Sequence, residues 1–321
     1  MTENQKLYKS FCESIDYIPV FLEWWWIDIV TNGAWDVVFS TTKDGRTRGV
    51  LAFYVTKEVK VFSIIKMPKQ TQVTGCWFAY PKGQKLTSKL SFEKEVMTEL
   101  IEQLPNVDYF MQRFHYSVSN WLPFYWKGYK QTTQYTYVLD NLQNHDEIFS
   151  NFRSNIKTDI KKATKVVKVI SSDDIEKFYN INKLTFQRQN AQIPYTFGFI
   201  KQLHEELKVR GQGKIYFAID EEENIHAAIY IIWDKQSAYY MWGGSDPEFR
   251  NSGATSLLMW KAIQECSSFV NKFDFEGSMI ESVERFVRSF GTKQIPYNKI
   301  YKFNNKFLEP LHLLRGWKNG N

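Results

Sequence analysis

Runs rich in β-branched and aromatic residues at Trp35–Ser40, Gly49–Tyr54, Val61–Ile65, Asp108–Phe114 and Thr133–Leu139 predict strands, and helical spacing appears between them. From Ser91 to Leu104, Phe92, Val96, Leu100 and Leu104 recur at four-residue steps with Met97 and Ile101 beside them. That is the buried stripe of an amphipathic helix. After Asp140 the polar stretch 141–146 reads as a linker, with Asn144 or Asp146 available to cap the next helix. Ile148, Phe152, Ile156 and Ile160 then form an apolar stripe, and Arg153, Lys157 and Lys161 a basic stripe one residue further round what is predicted to be a single helix. A helix over Asp173–Gln187, strands at Lys214–Ile219, Ile225–Trp233, Ser237–Trp242, Lys272–Glu276 and Tyr297–Phe303, and a helix over Ser252–Cys266 complete the series. Mixed elements in this order predict an α/β (α+β) class.

The two halves repeat one another. "DYFMQRF" followed by "FYWKGYKQTTQYTYV" parallels "KFDFEGS" followed by "FVRSFGTKQIPYNKIYK", with Gly128 and Gly291 standing 163 positions apart. A strand pair around Asp44 and Gly45 parallels one around Glu223 and Asn224. Two copies of one unit are expected, 1–143 and 144–321.

Composition narrows the class. A chain of 321 residues, 43% hydrophobic and 24% charged, suits two globular domains and excludes disorder. The longest apolar stretch, Ala227–Trp233, is far short of the roughly 20 residues of a membrane span. The opening MTENQKLYKSF has no apolar signal core, so a cytoplasmic location is expected. Cys12, Cys76 and Cys266 are widely separated and read as reduced thiols. His115, His145, His204, His226 and His312 show no ligand spacing, so no metal site is expected. The net charge of +6 favours anionic ligands without requiring a nucleic acid. Aromatic content of 17%, with 11 Trp, supplies core area and groove walls. Of Trp24, Trp25 and Trp26, two are expected to pack inward and one to reach a surface or groove.

The segment "YYMWGGSDPEFRNSGATSLLMWKAI" carries the main chemical signal. A strand ends at Gly243 and Gly244, a turn runs through Asp246 and Pro247, and Arg250 precedes a helix start made of Ser252, Gly253, Ala254 and Thr255. Small residues let main-chain N–H groups at the positive end of a helix approach a phosphate, and Arg250 can add a charged contact. A strand-to-helix turn capped by Ser252 is the structural alternative. This segment resembles the phosphate loop of the GNAT acyltransferase superfamily, Q/R-x-x-G-x-G/A, with Arg250 and Gly253 at the first and fourth positions and Thr255 where the pattern has Gly or Ala. Phe124–Tyr129 resembles the superfamily's aromatic-x-x-Gly-aromatic segment. With "FDFEGS" at Phe273–Ser278 and "RSFGTKQIPY" at Arg288–Tyr297, the chain resembles the Fem-like branch of tandem-GNAT acyltransferases. No long coiled-coil arm is evident.

The resemblance implies two tandem GNAT-like units, each a mixed, splayed β-sheet flanked by helices, with Trp242, Gly243, Gly244 and Ser245 lining the place where donor and acceptor meet. On a strand over 272–276, Asp274 and Glu276 would share one face, where a carboxylate can accept an amine's proton. Glu276 is the preferred base, and pairing with Arg285 or Arg288 is the structural alternative. Tyr297 is a candidate general acid. The basic run Arg153–Lys168, including Lys157 and Lys161, would meet a phosphate-bearing substrate or form a solvated face. The expected activity is transfer of an acyl group, from acyl-coenzyme A and in the first place acetyl-coenzyme A, to a primary amine on a small molecule or peptide. The alternatives are an aminoacyl-tRNA donor acting on a peptidoglycan precursor, and a non-catalytic binding protein that kept the fold. The first unit, which has no comparable phosphate loop, is expected to be structural or to shape the acceptor site.

Overall fold

A computed structural model describes residues 1–58, 61–188, 190–277 and 279–310; Ser278 and His312, named above, lie outside them. The chain divides into two compact units, 1–134 with 296–321, and 135–295. The first crossing falls before the expected 143/144 boundary, and the chain crosses a second time. The reason is that two long strands each begin in one unit and end in the other.

The first unit contains α1 (Glu3–Ser14), α2 (Trp24–Thr31), β1 (Trp35–Thr41), β2 (Thr47–Glu58), β3 (Phe62–Lys66), β4 (Gly75–Phe78), α3 (Leu86–Gln103), β5 (Tyr109–Arg113) and α4 (Leu122–Trp126), followed by β6 (Lys130–Asp140). Its strand order is β1-β2-β3-β5, with β4 also on β2 and β3 parallel to β5. The expected stripe of α3 is buried at Val96, Met97, Leu100 and Ile101. It packs on one sheet face, against Leu51, Phe53, Ile65 and Phe110. Helix α1 packs on the other face, with Tyr8 and Phe11 against Trp35, Val50 and Ala52. Trp25 and Trp26 are buried, while Trp24 lies under the Lys9 ammonium, 4.5 Å from its ring centroid.

The second unit contains α5 (His145–Asn151), α6 (Ser154–Ala163), β7 (Lys168–Ser171), α7 (Ile175–Arg188), α8 (Phe197–Arg210), β8 (Gly213–Ile219), β9 (Ile225–Trp233), β10 (Ser237–Ser245), α9 (Ala254–Cys266), β11 (Lys272–Asp274) and α10 (Glu281–Arg288), followed by β12 (Lys293–Phe303). Its strand order is β6-β11-β10-β9-β8-β7, with β10 and β11 parallel and the other pairs antiparallel. The end of β6, Val138–Asp140, pairs with β11, and the end of β12, Lys299–Phe303, pairs with β5 in the first unit. The repeat is visible in the backbone: hairpins β1–β2 and β8–β9 correspond, and Gly128 and Gly291 both take positive φ after α4 and α10.

The single helix expected to carry Ile148, Phe152, Ile156 and Ile160 is two. Phe152 and Arg153 are extended, and the Arg153 N–H donates to the Ser289 carbonyl at 2.9 Å instead of continuing a helix. The break turns Phe152 onto Trp260 and Phe290. Burial still follows the pattern, since Ile148, Phe152, Ile156 and Ile160 all lie in the core.

Candidate functional site

Strands β10 and β11 pair only from Ser237↔Lys272 to Tyr239↔Asp274. There β11 stops, while β10 continues to Ser245 against β9, so the two strands form a fork. The β10–β9 register slips between Tyr240 and Trp242, leaving Met241 as an extra residue. Such a bulge re-aims the residues that follow it, and these are Trp242, Gly243, Gly244 and Ser245. Helix α7 reaches them directly. Asn182 Nδ2 donates to the Gly243 carbonyl at 2.6 Å, the Ser245 N–H donates to Thr185 Oγ1 at 3.2 Å, and the Tyr195 hydroxyl donates to Asn182 Oδ1. Trp242 is a buried wall residue against Tyr230, and burial pushes the Tyr240 hydroxyl up to about 12.

The carboxylates do not alternate on a strand as expected, because β11 ends at Asp274. Asp274 is buried, and its Oδ1 accepts from the Thr136 hydroxyl and, at 2.8 Å, from the Glu276 N–H. A side chain that accepts from an amide two residues on closes a turn, and Glu276 accordingly takes φ +58. The structure thus brings Asp274 and Glu276 into one turn at the base of the fork, Asp274 tied into it and Glu276 partly exposed. Arg285 and Arg288 pair instead with Glu281 (2.8 Å) and Glu284 (2.7 Å). Tyr297 is buried on β12 and belongs to the first unit.

Beyond β10, a single 3-10 turn, Arg250–Ser252, leads to Gly253 at φ +79 and then to α9. Ser252 Oγ accepts from the Ala254 N–H at 3.3 Å, but the residue that caps α9 is Gly253, not the Ser252 of the structural alternative. Gly253 itself makes no side-chain cap. Arg250 is exposed, Thr255 partly so, and Ala254 and Ser256 are buried. Helix α6 lies against this turn: Asp159 Oδ2 is 3.4 Å from Ser256 Oγ, and Lys162 Nζ donates to the Asn251 carbonyl. Of the basic stripe, Lys157 Nζ donates to the Ser150 carbonyl at 2.6 Å, Lys161 is exposed, and Arg153 precedes the helix at its N-terminus. Asn182, Thr185, Tyr195 and Thr136 were not singled out from sequence; nothing in the pattern of α7 marks them. Asp159 was visible as the one acid in a basic run.

Among the described residues no cluster of side chains fits a metal ion, and no helix is long and apolar enough to cross a membrane.

Residues 150–278 match the family described as "Acetyltransferase (GNAT) domain". That stretch of the second unit is therefore similar to a GNAT acetyltransferase domain. No curated protein matches the chain in sequence. Among solved structures, FemX superposes with a TM-score of 0.67 at 13% identity, over 97% of this chain and 98% of FemX. A conserved protein of unknown function from Bacteroides thetaiotaomicron gives 0.55 at 10% identity over 94% and 97% of the two chains. L-PGS from Bacillus licheniformis gives 0.54 at 10% identity over 96% and 94%. These likenesses show the fold alone, which the chain shares with FemX.

Proposed function

We propose that the second unit transfers an acyl group from an acyl-coenzyme A to a primary amine at the fork between β10 and β11. The observation that supports this is the fork itself, a parallel pair that ends at Tyr239↔Asp274 while β10 runs on through a bulge to a phosphate-type loop. A bound thioester supplies an activated carbonyl and a thiolate leaving group. The chain supplies the rest. The Glu276 carboxylate, fixed at the fork by the turn that Asp274 closes, accepts the amine's proton as the new C–N bond forms. The Trp242–Ser245 segment lines the fork, where main-chain groups orient the carbonyl. Arg250 and the first turn of α9, which no side chain of its cap residue satisfies, would hold the phosphates. Tyr297, in the first unit, is given no role. The test is a thermal-shift titration with acetyl-coenzyme A on the native protein and Arg250→Glu. At 100 times the dissociation constant a stabilisation of about 2.7 kcal/mol is expected, absent in the variant. No shift in the native protein removes this donor.

A second donor, an aminoacyl-tRNA used on a peptidoglycan precursor, is favoured by one specific contact. Asp159 already places a carboxylate at the positive end of α9, where a phosphate would go, while Arg153, Lys161, Lys162, Lys165 and Lys168 are exposed nearby in sequence. Charge reversal at Lys157 and Lys161 would then weaken tRNA binding and flatten its salt dependence. Unchanged binding excludes it.

A further inference from the structure

In the first unit, β5 and β12 run antiparallel in a register that sets Lys299 directly opposite Arg113. Side chains so placed share one face, with Cβ atoms about 4.5–5.5 Å apart, and like charges there repel. Both residues are half-buried. Arg113 Nε is shielded from solvent without a hydrogen-bond partner. The main chain of Arg113 is engaged elsewhere, its N–H by the Met67 sulfur at 3.3 Å and its carbonyl by the Thr74 N–H at 2.6 Å. Burial, and then the Arg113 charge, hold the Lys299 ammonium below its ordinary pKa.

The surroundings offer no relief. On the same face, Tyr301 stands opposite Met111, and Tyr297 is the next residue along β12. A carboxylate on that face of β2, Glu58, is engaged by Lys66 at 3.3 Å. Two cations therefore face each other among tyrosines and a methionine with no carboxylate among the described residues paired to either, an arrangement that costs stability unless an anion completes it. Two positive charges match a doubly charged phosphate better than a singly charged carboxylate. The planar guanidinium offers a fork of donors, the ammonium a point charge. Partial burial strengthens the attraction while leaving a path from solvent.

We propose that Arg113 and Lys299 form a binding site for a dianionic phosphate group, so that the first unit takes a phosphate-bearing ligand. The site does not rest on the acyl-transfer reading. Isothermal titration of the full chain with inorganic phosphate at low ionic strength tests it, with acetate as the monovalent control and with Arg113→Met, Lys299→Met and Arg250→Glu as variants. Phosphate binding that needs both Arg113 and Lys299 is expected. Each Met variant should weaken it about tenfold or more, and Arg250→Glu, which alters only the α9 loop, separates this site from that one. In phosphate-free buffer Lys299→Met and Lys299→Gln should melt at or above the native temperature, because a repulsion has been removed, and phosphate should raise the melting temperature of the native chain but of neither Lys299 variant. Affinity retained in either Met variant, acetate binding as tightly as phosphate, or a lowered melting temperature for both Lys299 variants overturns the site. Loss of phosphate only in Arg250→Glu moves the ion to the α9 loop and overturns it equally.

Discussion

A Cβ added to Gly253 would stand 2.4 Å from the main-chain oxygen of Asp159, so the residue that leads into α9 is where α6 closes on that helix. Gly253 also sits at φ +79, which side-chain-bearing residues rarely adopt. Its small size serves helix packing in the folded protein whether or not a ligand approaches. Gly253→Ala must therefore both strain the backbone and push α6 away, at a cost of about 2–4 kcal/mol. Chemical denaturation of the variant measures this, and a loss under about 0.5 kcal/mol, typical of a neutral surface change, would show that α6 does not rest on the loop.

The same helix puts the Asp159 carboxylate 3.4 Å from Ser256 Oγ, long for a hydrogen bond and so a weak tie. A carboxylate at a helix N-terminus is favoured by the dipole, yet it repels an incoming phosphate. Asp159→Asn keeps the shape and removes the charge. If coenzyme A phosphates bind at this loop, the variant should bind acetyl-coenzyme A several-fold more tightly, a gain of about 0.3–1 kcal/mol on the scale of such interactions. Calorimetric titration of the two proteins decides, and an unchanged affinity places the phosphates elsewhere.

Much of this arrangement is legible in the sequence because it depends on local pattern. The stripe Val96, Met97, Leu100 and Ile101, the strand Ile225–Trp233 and the paired glycines 128 and 291 follow from periodicity and turn chemistry. What was not legible depends on partners distant in the chain. The strand expected over 272–276 ends early because the Thr136 hydroxyl and the Glu276 amide share one oxygen of Asp274. The single helix expected through Ile148, Phe152, Ile156 and Ile160 breaks because Arg153 bonds to Ser289. The polar lining of the fork, Asn182 and Thr185, comes from a helix whose pattern shows only its buried face. Strand exchange at β6 and β12 has no local signature, since pairing with either unit's sheet uses the same alternation.

The two carboxylates at the fork have separable roles. Asp274 is buried and accepts two hydrogen bonds, so Asp274→Ala leaves the Thr136 hydroxyl and the Glu276 amide without their acceptor, a loss of about 2–4 kcal/mol of stability. Glu276 as a residue is partly exposed, with one carboxylate oxygen shielded from solvent. Glu276→Gln should lower the rate of acyl transfer by about 10²–10⁴, the usual contribution of a general base, with the melting temperature nearly unmoved. Turnover and melting curves on both variants check the division. A Glu276→Gln enzyme of native rate would remove the proton-transfer role.

His204 makes the stability of the second unit depend on pH. The ring is on the buried face of α8, with Nδ1 2.7 Å from the Tyr230 hydroxyl, and burial holds its pKa below the ordinary 6.5 although Asp173 pulls the other way. Above about pH 6.5 the imidazole is neutral in both folded and unfolded chains and contributes nothing to the slope. As pH falls through that value, the unfolded chain takes up a proton that the folded chain refuses, so folding weakens until the lower folded pKa is reached. His204→Gln gives up the hydrogen bond to Tyr230, at about 1 kcal/mol, and should be less stable at pH 8. It should also lose less stability between pH 7 and 5 than the native protein does. Denaturation at a series of pH values reads the difference between the two curves, which must shrink as the solution is acidified; parallel curves would mean that His204 titrates alike in both states.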